Sequence, residues 1–104
     1  MIEGKKITLG GVEYTLPPLN FTAIERYMVL QGDIQNAVDS ADLQKQINIM
    51  AEIVWLALRR NYPEMTVETV KDMVDMTSVN SIVEAVVEVS GLKKSQVVAS
   101  PENQ

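Results

Sequence analysis

Residues 41–60 leave this chain the least freedom of any segment. Leu43, Ile47, Met50, Val54 and Leu58 fall on one stripe at helical spacing, and Ile49, Ile53 and Leu56 widen that stripe. An apolar surface so broad must be covered on more than one side. The spacing therefore predicts a central helix, about 30 Å long at ~1.5 Å per residue, with other elements packed around it. Ser40 or Asp39 is placed to cap its start. Arg59 and Arg60 lie at its end, where cations complement the helix dipole. Trp55, the only tryptophan, sits within this apolar run and reads as core rather than as a partner's anchor.

Downstream, Asn61-Tyr62-Pro63 stops the helix. Thr66 caps a short one, with Met65 against Val70 as a hydrophobic staple and Val67, Val70, Met73 and Val74 facing inward. A polar turn from Thr77 to Asn80 leads to Ile82, Val83, Val86 and Val87. Valine favours strands, but this i, i+4 spacing and the stop at Gly91 favour a helix. Upstream, Gly10-Gly11 forms a two-residue turn between alternating runs. Ile7, Leu9, Val12, Tyr14 and Leu16 then share one face of a hairpin over 5–16, and Lys6, Thr8, Glu13 and Thr15 share the other. Pro17-Pro18 ends the second strand.

A helix from near Phe21 to Gln31 follows. It starts either at Asn20 as the N-cap, with Leu19 and Ile24 as a staple, or at a Thr22–Glu25 capping box. Ile24, Tyr27, Met28 and Gln31 define its inward face, and Gly32 terminates it. Residues 33–39 connect it to the central helix. The expected fold is mainly α: a small bundle of about four helices with an N-terminal β-hairpin, in one domain over 1–92. Periodicity is lost beyond residue 92, so 93–104 read as a flexible tail.

Composition narrows the function. The chain has 104 residues, 46% hydrophobic and 22% charged, with neither cysteine nor histidine. That removes disulfides, thiolate chemistry, the commonest metal ligand and the usual neutral-pH base. The formal net charge is −5, with only 9 Lys and Arg. Six of those form three dilute pairs, Lys5-Lys6, Arg59-Arg60 and Lys93-Lys94, not the basic stripe that phosphates require. No apolar run reaches the roughly 20 residues of a membrane span, and the first residues lack the apolar core of a secretory signal. A cytoplasmic protein with no nucleic-acid or membrane partner is expected.

The carboxylates Glu64, Glu68, Asp72 and Asp75 read as a solvated helix face rather than a cation site, because no Gly-containing oxygen-ligand loop accompanies them. Met28, Met50 and Met73 lie on apolar stripes, where packing explains them. No catalytic, cofactor or metal residues are assigned, and an enzyme is not expected.

Two resemblances remain. Asp39-Ser40-Ala41-Asp42-Leu43 is similar to the modified-serine segment of acyl carrier proteins, which would put a phosphopantetheine arm on Ser40. Ala41 stands where that family has leucine, the hairpin is foreign to that fold, and a plain N-cap already accounts for Ser40. A wider likeness lies elsewhere. Arg59-Arg60-Asn61-Tyr62-Pro63-Glu64-Met65-Thr66-Val67-Glu68-Thr69-Val70 resembles a segment of tail assembly chaperones from long-tailed bacteriophages. There, a helix with a basic end meets a proline-centred turn and a short T-x-E-x-(V/L) helix. Ile82-Val83-Glu84-Ala85-Val86 through Ser90-Gly91 resembles that family's last helix, and Leu9 through Leu19 its opening strand pair.

The resemblance covers about residues 5–92. It implies a non-catalytic protein that binds the helical tape measure protein in the host cytoplasm and helps bring tail tube subunits to it. It also implies self-association, which the open edges of a two-stranded hairpin independently favour. Members of that family are often made in two lengths by a −1 frameshift near the end of the shorter frame, and Leu92-Lys93-Lys94 permits such a slip, although two lysines after a helix read first as favourable C-terminal charges. The remaining alternative is another small phage protein, such as a connector or minor tail component.

Overall fold

The computed structural model describes residues 1–36 and 43–92, with side chains over 1–33 and 43–92. The architecture is mainly α: four helices and an N-terminal two-stranded antiparallel hairpin. In order these are β1 (Lys5–Leu9), β2 (Val12–Leu16), α1 (Phe21–Asn36), α2 (Leu43–Leu58), α3 (Val67–Met73) and α4 (Val79–Val89).

The hairpin has the expected register, with Leu9 opposite Val12 and Ile7 opposite Tyr14. Gly10 and Gly11 have φ of 57° and 80°. Both therefore occupy the left-handed region that a mirror-image two-residue turn requires. Leu9 and Leu16 are buried, whereas Val12 is exposed because it sits at the hairpin tip.

The loop after α2 locks this hairpin to the helices. The Asn61 side chain accepts from the Ile2 N–H at 2.7 Å and donates to the Ile2 carbonyl at 2.8 Å and the Thr15 carbonyl at 3.2 Å. The Tyr62 hydroxyl accepts from the Thr15 N–H at 2.8 Å. The Tyr62 ring stands edge-on to Tyr14, with centroids 5.1 Å apart. Gly4 permits the close crossing, since a Cβ there would overlap the Leu16 carbonyl.

α1 starts at the first of the two candidate caps. The Asn20 side-chain oxygen accepts from the Ala23 N–H at 2.8 Å. Two expectations for this helix are corrected. It runs through Gly32 to Asn36, because Gly32 meets no obstruction and buried Leu30 holds the preceding turn against the core. Glycine costs a helix only about 1 kcal/mol, which packing offsets. The inward face is Ala23, Tyr27 and Leu30, with Ile24 beside them. Met28 is 63% exposed. The buried face follows Ala23, Tyr27 and Leu30 at i, i+4 and i+7, and Met28 lies about 100° round the helix from Tyr27, toward solvent.

α2 is the central helix and touches α1, α3, α4 and β2. Its buried residues are Ile49, Ala51, Ile53, Val54, Leu56, Ala57 and Leu58. Leu43 and Ile47, expected on the buried stripe, are exposed. The buried positions begin at Ile49, so the described neighbours cover the second half of the helix more fully than its first turns. Past Leu58 the chain tightens, and the Tyr62 N–H donates to the Leu58 carbonyl at 2.8 Å. The Arg60 guanidinium reaches the Pro18 carbonyl. Trp55 packs against the core while its Nε1 donates to the Met65 carbonyl at 2.8 Å. The Arg59 guanidinium lies 4.9 Å from its ring centroid.

Thr66 caps α3, accepting from the Thr69 N–H at 3.1 Å, and Val70 is fully buried. The valine-rich segment is helical, as its spacing predicts. α4 buries Val79, Ile82, Ala85, Val86 and Val87. It ends at Gly91, φ 79°. The Leu92 N–H donates to the Val87 carbonyl and the Gly91 N–H to the Glu88 carbonyl, at 3.0 and 3.1 Å. This pairing is the Schellman arrangement that a left-handed glycine allows. The Ser90 hydroxyl accepts from the Leu19 N–H at 2.9 Å, tying the helix end to the start of α1. One apolar cluster unites the hairpin and all the helices. Among the described residues, no helix is long and apolar enough to cross a membrane.

Candidate functional site

The first turns of α2, less fully covered than the second half, form one wall of a groove. Ile47, Met50 and Ala51 line this wall. Lys71 and Val74 contribute from the end of α3, and Asp75, Met76 and Val79 from the turn and the start of α4. Its volume is about 190 Å³. Small-molecule and cofactor pockets typically need about 300–1,000 Å³, so this space suits side chains of another polypeptide. The floor is apolar. Ile47 is 37% exposed and Met76 53%.

The rim is built by a turn around one carboxylate. Asp75 Oδ1 accepts from the Thr77 N–H and hydroxyl at 3.1 and 2.7 Å, and from the Ser78 N–H and hydroxyl, both at 3.0 Å. The Thr77 hydroxyl bond first, then those from Ser78, hold the Asp75 carboxyl below its ordinary range. Asp75 is thereby committed to the turn. It caps the approach to α4 in place of Ser78, which makes no side-chain cap bond of its own. Its sequence signal is the spacing of an Asp before two hydroxyl residues, an Asx-type turn. Read as part of a helix face, that signal was missed. Met76, which follows it, is presented to solvent. A methionine on such a rim adapts its shape to what it meets.

Reactive chemistry is sparse. No charged side chain is buried among the described residues. Glu64, Glu68, Asp72 and Asp75 are all exposed. No group of 3 or more His, Cys, Asp or Glu among the described residues is arranged to hold a metal. The remaining perturbed groups have structural causes. Lys5 donates to Glu88 at 2.8 Å and lowers that carboxyl's pKa. Glu52 accepts from Arg26 at 2.7 Å and raises that guanidinium's pKa. Burial raises the Tyr27 hydroxyl. Ser40 and its neighbours Asp39, Ala41 and Asp42 lie outside the described residues, as do Lys93 and Lys94.

A second apolar surface lies on the outer face of α1. Phe21 is 86% exposed there, beside Met28 and Val29.

Searches against family models, curated proteins and solved structures found no match to this chain.

Proposed function

We propose that this chain is a tail assembly chaperone of a long-tailed phage or prophage. In this reading it acts without chemistry, binding a helical stretch of the tape measure protein in the host cytoplasm and helping to gather tail tube subunits. The reading draws on the order of segments Leu9–Leu19, Arg59–Val70 and Ile82–Gly91. The structural observation that carries it is the apolar, methionine-rimmed groove between α2 and the α3–α4 turn. Apolar anchors spaced along a helix fit such grooves. The acyl-carrier alternative is disfavoured by the hairpin, which fills the N-terminal part of the core with Leu9 and Leu16.

The test is co-expression with the tape measure protein of the same phage or prophage. The wild type is expected to keep that protein soluble and to co-purify with it. Met76→Glu, a change at an exposed rim position, is expected to abolish both effects while leaving the melting temperature near wild type. Failure of the wild type to bind would reject the chaperone reading. Binding that survives Met76→Glu would move the site away from the groove. Recovery of the protein from finished virions would point instead to a connector or minor tail component, and a phosphopantetheine mass increment on Ser40 to an acyl carrier.

A further inference from the structure

The two edges of the hairpin are finished differently. A two-residue turn makes Leu9–Val12, Ile7–Tyr14 and Lys5–Leu16 the pairs that bond to each other. The backbone groups of Lys6 and Thr8 on β1, and of Glu13 and Thr15 on β2, then point outward. On β2, the Thr15 N–H is taken by the Tyr62 hydroxyl and its carbonyl by Asn61. On β1, the outward N–H and carbonyl groups of Lys6 and Thr8 have no hydrogen-bond partner among the described residues. The β2 edge is closed at Thr15 by the chain's own side chains and open only at Glu13 near the tip, whereas the β1 edge is open at both outward residues and is a bare template along its length.

We propose that β1 is the contact strand of a symmetric dimer, in which a second copy of this chain lays its own β1 antiparallel against it with Ile7 opposite Ile7. Only such a register matches outward groups to outward groups along the strand. Lys6 then exchanges both backbone bonds with Thr8 of the second copy, and Thr8 with its Lys6. The side chains agree with the backbone. Lys6 stands across from threonine, not from lysine, so no like charges face directly. Ile7 is only half-buried in the single chain and gains cover on the apolar face. The arrangement closes on itself, since the outer strands of the resulting four-stranded sheet are the β2 edges already sealed at Thr15. A two-fold pair, not an open filament, is the consequence. An edge lysine alone guards against strand addition, but Lys6 here projects from the outer face, where its ammonium remains in water in the dimer.

This inference stands apart from the chaperone reading and is tested on the purified full-length chain by sedimentation equilibrium across a wide concentration range. The wild type is expected to form dimers. Thr8→Pro removes an outward N–H without touching a hairpin bond, and is expected to raise the dimer Kd at least about tenfold. Two further variants check the register and keep the backbone intact. Thr8→Glu, set against Lys6 of the second copy, is expected to tighten the dimer about fivefold. Thr8→Lys is expected to loosen it by a similar factor. A wild type that stays monomeric throughout overturns the proposal. A dimer equally strong in Thr8→Pro does so too, and would point to the Phe21–Met28 face. If Thr8→Pro fails to fold by circular dichroism, the opposite responses of Glu and Lys still decide. Equal responses overturn the register.

Discussion

The two halves of α2 both carry apolar residues of the same helical stripe, more densely in the second half, and have opposite fates in the fold. From Ile53 to Leu58 almost every residue is inside, with Val54, Ala57 and Leu58 fully buried. From Leu43 to Met50 the same kind of side chain lies partly in water, and Ile49 alone is buried. The difference comes from the neighbours. α2 touches α1, α3, α4 and β2, its buried residues concentrate in the second half, and the Asn61–Tyr62 loop just beyond that half anchors the hairpin. Among the described residues, the end of α3, the α3–α4 turn and the start of α4 approach the first half without closing over it, leaving a groove where a full neighbour would leave a core. An apolar stripe thus reports what must be covered somewhere, not what this chain itself covers.

The sharpest way to break this contrast is to place the same charge in each half. Val54→Asp puts a carboxylate among fully buried aliphatic groups and should cost at least about 4 kcal/mol. That is a large part of a typical domain's total of about 5–15 kcal/mol. A chain that melts like the wild type would show the buried half to be misassigned. Asn61→Ala should come next. It leaves the Ile2 and Thr15 backbone groups without three side-chain bonds and should lower stability by about 2 kcal/mol in urea titration. A loss below the error of that titration would mean that the hairpin does not depend on the loop.

Smaller effects sharpen the comparison where α1 meets α2. The buried Tyr27 hydroxyl has no protein hydrogen-bond partner among the described residues. Tyr27→Phe should therefore be neutral or stabilising by up to about 1 kcal/mol. The sign with pH follows from the raised pKa. Between the unfolded value, about 10, and the higher folded value, the native state holds a proton that the unfolded state has lost, so stability falls as pH rises above about 10. Tyr27→Phe should flatten that alkaline decline, and an unchanged slope would remove Tyr27 from the account. Ile47→Asp should be the mildest, within about 0.5 kcal/mol of wild type, since its side chain already meets water. A cooperative loss of structure in this variant would mean that the groove is core after all. Acid provides a related check. The Asp75 carboxyl is held low by Thr77 and Ser78, so its contribution is present above the usual carboxylate range and lost as pH falls through its depressed value. Near-neutral stability should be unaffected, and the groove turn should loosen in acid ahead of the buried half of α2.

Much of this molecule is legible in the order of its residues because the signals are local. Gly10-Gly11 between alternating strands sets the register, as a two-residue turn has little freedom. Thr66 and Gly91 mark helix ends through bonds that reach only a few positions along the chain. The spacing of Ile82, Val83, Val86 and Val87 outweighs valine's strand preference, since a helix is what presents them together. Where local rules competed with packing, the tertiary structure decided. Gly32 is a helix terminator by rule, yet α1 passes through it. The buried face of α1 runs through Ala23, an unremarkable residue in sequence, rather than through Met28. The Asn61 clamp, the sealed edge at Thr15 and the groove under Met76 each join residues far apart in sequence or on different elements. Periodicity specifies which side chains need shelter. Which neighbour provides it, and where shelter is left incomplete, depends on how the elements pack, and that is a property of the assembled chain.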